Sequence, residues 1–350
     1  MTAQTAQKGK EVAMERRTLG RTGLTVSVLG FGSWPMSGED RYGAIEDAEA
    51  ILAIHRALDA GVNCVDTAAG YGFGHAEEVV GRALAGHRDQ VILATKCGLV
   101  QDPGTTIARR DISRSNIVRE AESSLRRLHT DVIDVYLIHW PTESTPIEEA
   151  FQAMDDLVRA GKVRFIGVSN FTVEQMERCR KVRPLDVVQV GYHLFDRRME
   201  QEVFPYCERH GIGVMGYGSL AHGLLTGTFT VETRFSAPDW RSRGVAFGQP
   251  LFKPDNLQRN IGVVERLTRE VAAPRGIPVS QIALAWVLRN PVIATALVGA
   301  RTPAEVEQNL AGLSLHLTAA EIAKIDEIMR GAVGTVRAFT PLRPALEEWE

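Results

Sequence analysis

The stretch NCVDTAAGYG (residues 63–72) sets the reading of the whole chain. An apolar pair, Cys64 and Val65, runs into the carboxylate of Asp66, and a turn of small residues then delivers Tyr71. It reads as a short buried strand with Asp66 at its carboxyl end and Ala68-Ala69-Gly70 folding Tyr71 back over that end. Seven further runs share the β-rich, near-continuous apolar character: VLGFGSW (28–34), VILATKC (91–97), VIDVYLIHW (132–140), VRFIGVSN (163–170), DVVQVGY (186–192), IGVMGYGS (212–219) and IATALVGA (293–300). Such runs suit strands covered on both faces, as in a parallel sheet.

Amphipathic stretches near 46–60, 75–85, 115–128, 147–159, 173–182, 200–210 and 255–272 separate the runs. Thr145-Pro146-Ile147-Glu148 predicts a helix start with an N-cap, a proline at N1 and a capping-box acid. Thr302-Pro303-Ala304-Glu305 repeats that order, and Thr318 with Glu321 makes a third start. Gly161 and Gly211 stand where helices should stop. Eight strand–helix units in alternation predict an α/β fold, a (β/α)8 TIM barrel. A doubly wound nucleotide-binding sheet needs G-x-G-x-x-G after its first strand. GFGSWP places Pro35, and GYGFGH places His75, where the third glycine belongs, so that fold is excluded.

Three pieces lie outside the units. RRTLGRTGLTVS (16–27) predicts an N-terminal β-hairpin plug under the barrel. Residues 221–254 form a long loop after strand seven, and loops of that length are usually functional. The tail TPLRPALEEWE (340–350) reads as a surface strap. We expect one domain over 14–335, with residues 1–13 a flexible leader and 336–350 a C-terminal tail.

Composition narrows the function classes. The chain has 350 residues, 44% apolar and 24% charged, with net charge −3. No broad basic field for nucleic acid is implied, and no apolar run reaches the ~18 residues of a membrane span. The opening MTAQTAQKGKEVAMERR lacks a signal-type apolar core, so a cytoplasmic location is expected. Cys64, Cys97, Cys179 and Cys207 form no CxxC or zinc spacing and are expected as reduced, partly buried thiols. No histidine pair of HxH type points to a metal-dependent hydrolase.

Barrel chemistry sits at the carboxyl ends of strands. Those ends carry Asp66, Lys96 and His139 on strands two, three and four, with Tyr71 in the loop after strand two. Singly, Asp66 could cap a turn, Tyr71 could be a loop aromatic, and His139 a core histidine. Lys96 ends an apolar run, and lysine is rarely buried unpaired. Four such residues at one rim point to one site.

With these motifs in view, the chain resembles the aldo-keto reductases over roughly residues 14–330. LGRTGLTVSVLGFGSW (19–34), LIHWP (137–141), GKVRFIGVSNF (161–171) and YGSLAHGLLTG (217–227) carry the likeness, which is strongest to the bacterial branch similar to potassium-channel β subunits. The resemblance implies hydride transfer between a nicotinamide cofactor and an aldehyde or ketone, or the reverse. It assigns Tyr71 as the general acid, with Lys96 lowering its pKa, Asp66 holding Lys96 charged and His139 orienting the carbonyl.

It also implies a cofactor lying across the barrel mouth. Gly32, Ser33 and Trp34 would lie near the nicotinamide ribose, Ser169, Asn170 and Gln189 at the carboxamide, and Tyr217 stacked on the ring. Gly218, Ser219, Leu220 and Gly223 would approach the pyrophosphate under the long loop. Gly299, Arg301, Thr302, Glu305, Gln308 and Asn309 would hold the adenosine end. Arg301 suits a 2′-phosphate, so NADP(H) is the preferred cofactor, with NAD(H) as the alternative because Glu305 places an acid there. Trp34, Met36, Tyr71, His139, Trp140 and Tyr192 would rim the substrate pocket. The expected partner is a small carbonyl or alcohol, with no nucleic acid, membrane or metal, and the protein a monomer or homo-oligomer. The competing reading is a cofactor-binding regulatory subunit with little turnover.

Overall fold

A computed structural model describes residues 14–37, 45–101, 108–236 and 239–336; the expected leader, and the tail beyond 336, lie outside them. Eight parallel strands close into a barrel. In order they are Leu29–Gly32, Cys64–Asp66, Ile92–Cys97, Ile133–Ile138, Val163–Ser169, Val187–Gly191, Gly213–Tyr217 and Ile293–Gly299. The eighth pairs with the first, Gly299 against Gly32, and so completes the ring. Each lies within one of the eight apolar runs of the sequence. The runs are legible because residues on both faces of the strands are buried, those of the third and fourth strands throughout.

Helices α1 (Asp47–Asp59), α2 (His75–Ala83), α3 (Arg114–Arg127), α4 (Ile147–Arg159), α5 (Val173–Val182) and α6 (Val203–His210) each follow one of the first six strands. On α4 the buried residues Ile147, Ala150, Phe151, Met154 and Leu157 form one stripe at helical spacing. After the seventh strand come α7 (Pro254–Leu267), which runs on into a π turn at Thr268–Ala272, and α8 (Val279–Leu288). After the eighth come α9 (Pro303–Leu310) and α10 (Ala319–Met329).

Local signals had mixed outcomes. Thr318 and Glu321 form the reciprocal capping box at α10. Thr302 caps α9, accepting from the Glu305 N–H. Gly211 ends α6 in the left-handed region, with φ 61°. Thr145 is not the cap of α4: the helix starts at Ile147 with Pro146 in the cap position, extended at ψ 132°. The sequence pattern also misses α8, because all ten of its residues are buried and no apolar stripe stands out. A short rim hairpin, Leu99–Gln101 with Ala108–Arg110, is a second addition.

The predicted plug is present. Arg16–Thr18 and Thr25–Ser27 pair antiparallel. Leu19, Leu24 and Val26 join Cys64, Leu137, Val187 and Met215 in the cluster that fills the barrel. Asn63 ties the plug to the second strand: its Oδ1 accepts from the Ser27 N–H at 2.7 Å and its Nδ2 donates to the Thr25 carbonyl at 2.9 Å. Gly20, at φ +55°, passes so close to the seventh strand that a Cβ would lie 2.2 Å from the Gly213 nitrogen. All four cysteines are unpaired and, beyond expectation, fully buried. Among the described residues no single helix is long and apolar enough to cross a membrane.

Leu19 is fully buried at the end of the barrel opposite the strand carboxyl ends. Leu19→Ala should therefore cost about 2–5 kcal/mol of unfolding free energy by urea denaturation, with cofactor affinity at the other end unchanged below the transition. A stability loss under ~0.5 kcal/mol would show that the plug does not support the barrel.

Candidate active site

The second strand stops at Asp66, which pairs in register with Ala94 of the third strand. Lys96, two residues further along, therefore reaches past the end of its neighbour and turns back to it. The Lys96 side chain is 1% exposed. Its Nζ donates to Asp66 Oδ2 at 2.7 Å, the Thr67 carbonyl at 2.8 Å and the Tyr71 hydroxyl at 3.3 Å. An ammonium has three N–H groups, and each has an acceptor. The other Asp66 oxygen accepts from Gln189 Nε2 at 2.7 Å. The backbone N–H of Tyr71 donates to the Ala68 carbonyl at 3.0 Å, which closes the small-residue turn.

Burial is the largest influence on each ionisable group here. It raises Asp66 and lowers Lys96, and their pairing opposes both shifts. Tyr71 is pushed well above 10, by burial first and the Asp66 charge second. This corrects the expected net acidification by Lys96: the ammonium is in contact, but desolvation of a phenolate outweighs it. Burial, then Lys96 and Arg110, holds His139 well below 6.5, so its imidazole is neutral. The His139 ring meets Tyr71 edge-on with centroids 5.7 Å apart, and its Nδ1 is buried without a hydrogen-bond partner.

A second cluster ends the fifth to seventh strands. The Tyr217 hydroxyl donates to Asn170 Oδ1 at 2.8 Å. Asn170 Nδ2 donates to Ser169 Oγ at 3.0 Å and to the His139 carbonyl at 3.2 Å. Asn170 holds φ 62°, a conformation that asparagine tolerates better than most residues.

One cavity of about 430 Å³ runs from Tyr71 and His139 past this cluster to α9. Every expected site residue lines it except Ser33, Met36, Lys96, Tyr192 and Thr302. Lys96 lies behind Asp66 and Tyr71. Ser33 is buried beside Asp66, donating its N–H to the Asp66 carbonyl at 2.9 Å. Thr302 is occupied as the α9 cap. Met36 and Tyr192 are corrections to the expected substrate rim. Met36 is buried in the apolar cluster behind the strands, its turn lying against α2. Tyr192 faces the helix layer, with its hydroxyl on Glu200 at 2.7 Å and its ring against Phe204 and Trp286.

The cavity also takes residues that the sequence did not mark, among them His222, Phe229, Arg241, Phe247 and Ser280. For all but Ser280, which lies on α8, the long loop after strand seven was the available signal, but no periodicity tells which of its residues turn inward. At α9, Arg301 lines the cavity as expected, yet Glu305 engages it. Arg301 Nη2 donates to Glu305 Oε1 at 2.8 Å, and the Arg301 backbone N–H donates to Oε2 at 2.8 Å.

The wall fits an extended dinucleotide. Ser219 Oγ is buried with no partner. Gly218 and Gly223 have φ +71° and +99°, and a Cβ on either would close to 3.2 Å or less on His222 or Arg241. Side-chain amides and a hydroxyl at one end meet the donor and acceptor needs of a carboxamide. No group of three or more His, Cys, Asp or Glu side chains could hold a metal among the described residues.

The model of the aldo/keto reductase family matches residues 28–330. Among curated proteins, the chain is similar to aldo-keto reductase YhdN of Bacillus subtilis (strain 168), 42% identical over 84% of this chain and 87% of that one. It is also similar to the NADH-specific methylglyoxal reductase of Escherichia coli (strain K12), 33% identical over 90% and 98% of the two chains. Among solved structures, the glycerol dehydrogenase AKR11B4 from Gluconobacter oxydans superposes with TM-score 0.81, 35% identity and coverage of 96% and 99%. An aldo/keto reductase from Klebsiella pneumoniae in complex with NADP and acetate gives TM-score 0.67 at 30% identity, covering 91% and 97%. The closed eight-stranded barrel and these likenesses agree: the chain belongs to the aldo/keto reductase family.

Proposed function

We propose that the protein is an NADP(H)-dependent oxidoreductase that interconverts a small aldehyde or ketone and its alcohol, with residues 14–335 acting as one domain. The observation that carries this reading is Lys96 bonded at once to Asp66 and to the Tyr71 hydroxyl, directly behind the cavity that these two residues line. When bound, the nicotinamide supplies or accepts the hydride.

The chain's own residues handle the proton. Tyr71 is held protonated, and its hydroxyl gives that proton to the carbonyl oxygen as the oxygen gains charge. The phenolate left behind faces the Lys96 ammonium, which stabilises it and cannot drift away while Asp66 holds it. Gln189 fixes the far oxygen of Asp66. His139, neutral and 8% exposed, offers an N–H to the same carbonyl oxygen. In the reverse direction Tyr71 accepts the proton from the alcohol.

The small substrate class draws on the relatives. One similar protein is a methylglyoxal reductase and one neighbour a glycerol dehydrogenase, both named for three-carbon compounds. For the cofactor, Arg301 at the start of α9 supports NADP(H), since a guanidinium pairs well with a phosphate. Its pairing with Glu305 supports use of NAD(H) as well, because a 2′-phosphate must compete with that carboxylate.

Tyr71→Phe should bind NADPH with an unchanged dissociation constant by fluorescence titration while kcat falls by roughly 10²–10⁴-fold; near-normal turnover removes Tyr71 from the acid role. The reactive form in reduction is the protonated phenol, and its pKa is raised. The reduction rate should therefore stay level from about pH 6 to about pH 9 and fall only as the phenol ionises. A rate climbing steadily to pH 10 contradicts that assignment. Glu305→Gln removes the competing carboxylate, so the NADPH dissociation constant should drop about tenfold relative to that of NADH. Arg301→Ala should reverse the preference, and equal effects on both cofactors would remove the pair from cofactor selection.

A further inference from the structure

The long loop after the seventh strand places one residue in the cavity that neither the proton chemistry nor the cofactor wall uses. Phe247 sits in a tight turn in which Ala246 and Gln249 exchange backbone hydrogen bonds at 2.8 and 2.9 Å. Its φ is +49°. For a bulky L-residue that conformation is strained, and a glycine would avoid the strain. Gly248, the next residue, does adopt it at +76°. A phenyl group kept in the strained position has to be held there.

Two features hold it. The Phe247 carbonyl accepts from Arg198 Nη2 at 3.2 Å. Arg198 is itself fixed by a bidentate pair with Asp196, and both side chains are only 3% exposed. The ring is clamped by its neighbours: Trp140 stacks at 6.1 Å and 10°, Trp34 meets it at 6.0 Å and 69°, and His222 stacks at 5.0 Å.

These contacts complete a circle. Trp34 stacks on Tyr71 at 6.2 Å, Tyr71 meets His139 at 5.7 Å, and His139 stacks on Trp140 at 6.4 Å. Phe247 joins Trp140 back to Trp34 and so closes a collar of five rings that includes the proposed acid and the proposed carbonyl donor. Without the phenyl group the collar is open between the two tryptophans.

We propose that Phe247 is a specificity-determining residue: it sets the bore of the substrate opening, admitting carbonyl compounds with short aliphatic substituents and excluding aryl ones. The inference rests on the reaction proposed at Tyr71. It also follows from the lining, since Phe247 faces the same cavity of about 430 Å³ as Trp34, Tyr71, His139 and Trp140. The ring adds no polar atom and moves no proton. It acts by occupying volume, and the buried Asp196–Arg198 pair fixes its turn from outside the pocket.

The test compares propanal, butanal, benzaldehyde and 2-naphthaldehyde as substrates of the wild type, Phe247→Ala and Phe247→Gly, with NADPH saturating. Binding of 2-naphthaldehyde is followed in parallel by saturation-transfer NMR without cofactor. In the alanine variant the ratio of kcat/KM for naphthaldehyde over propanal should rise at least tenfold, and naphthyl signals absent with the wild type should appear. Phe247→Gly suits the backbone at φ +49° and carries the same expectation if the alanine variant does not fold. A wild type that reduces naphthaldehyde as well as propanal, or a ratio unchanged in the variants, overturns the proposal. If the wild type oxidises NADPH with none of the aldehydes, the reaction reading fails. The NMR contrast then decides the gate alone: naphthyl signals in the variants only support it, and equal signals overturn it.

Discussion

A lysine and an aspartate buried against each other fix the arrangement of this barrel mouth. Removing either partner of such a pair leaves an uncompensated charge, typically at a cost of ~3–5 kcal/mol. The closed barrel supplies the geometry that avoids this. The third strand runs on past the end of the second, so the Lys96 side chain, two residues beyond the register of Asp66, folds back onto its carboxylate. The turn through Ala68 then has one place to put its phenol, against the third N–H of the same ammonium. Gln189 reaches across from the sixth strand to the remaining carboxylate oxygen, so opposite sides of the ring are joined by one polar network.

That network works against a strong background of desolvation. The sequence suggests that a neighbouring cation makes the phenol more acidic, but depth in the protein has the larger effect and keeps the proton on Tyr71. In the proposed reaction the ammonium matters at a later moment, when the phenol has given its proton away and a phenolate has to be tolerated in the same dry place. The same depth keeps His139 uncharged, so no second cation stands beside Lys96.

Much of this was legible in the residues themselves. Parallel strands buried on both faces leave near-continuous apolar runs, and a lone lysine closing such a run stands out. Caps were legible where a hydroxyl and an acid sit three apart, as at Thr318 and Glu321. Legibility failed where burial is uniform or local patterns compete. Helix α8 has no polar face to mark its period. Thr145 precedes a proline whose extended backbone takes the cap position itself. Met36 and Tyr192 follow strand ends, where alternation no longer says which way a side chain points. His222 and Phe247 hold positive φ without being glycine, and no pattern of residue types announces that. The resemblance put Arg301 and Glu305 at one end of the cavity; that the two side chains bond to each other there required the fold.

The deep placement of all four cysteines has a chemical consequence. Burial pushes every one of these thiols upward, Cys207 to about 12 and the others at least as clearly. A thiol reacts with electrophiles as its thiolate, and aldehydes are electrophiles that form hemithioacetals. A barrel proposed to handle reactive carbonyls at its mouth thus offers them no sulfur nucleophile from these four positions.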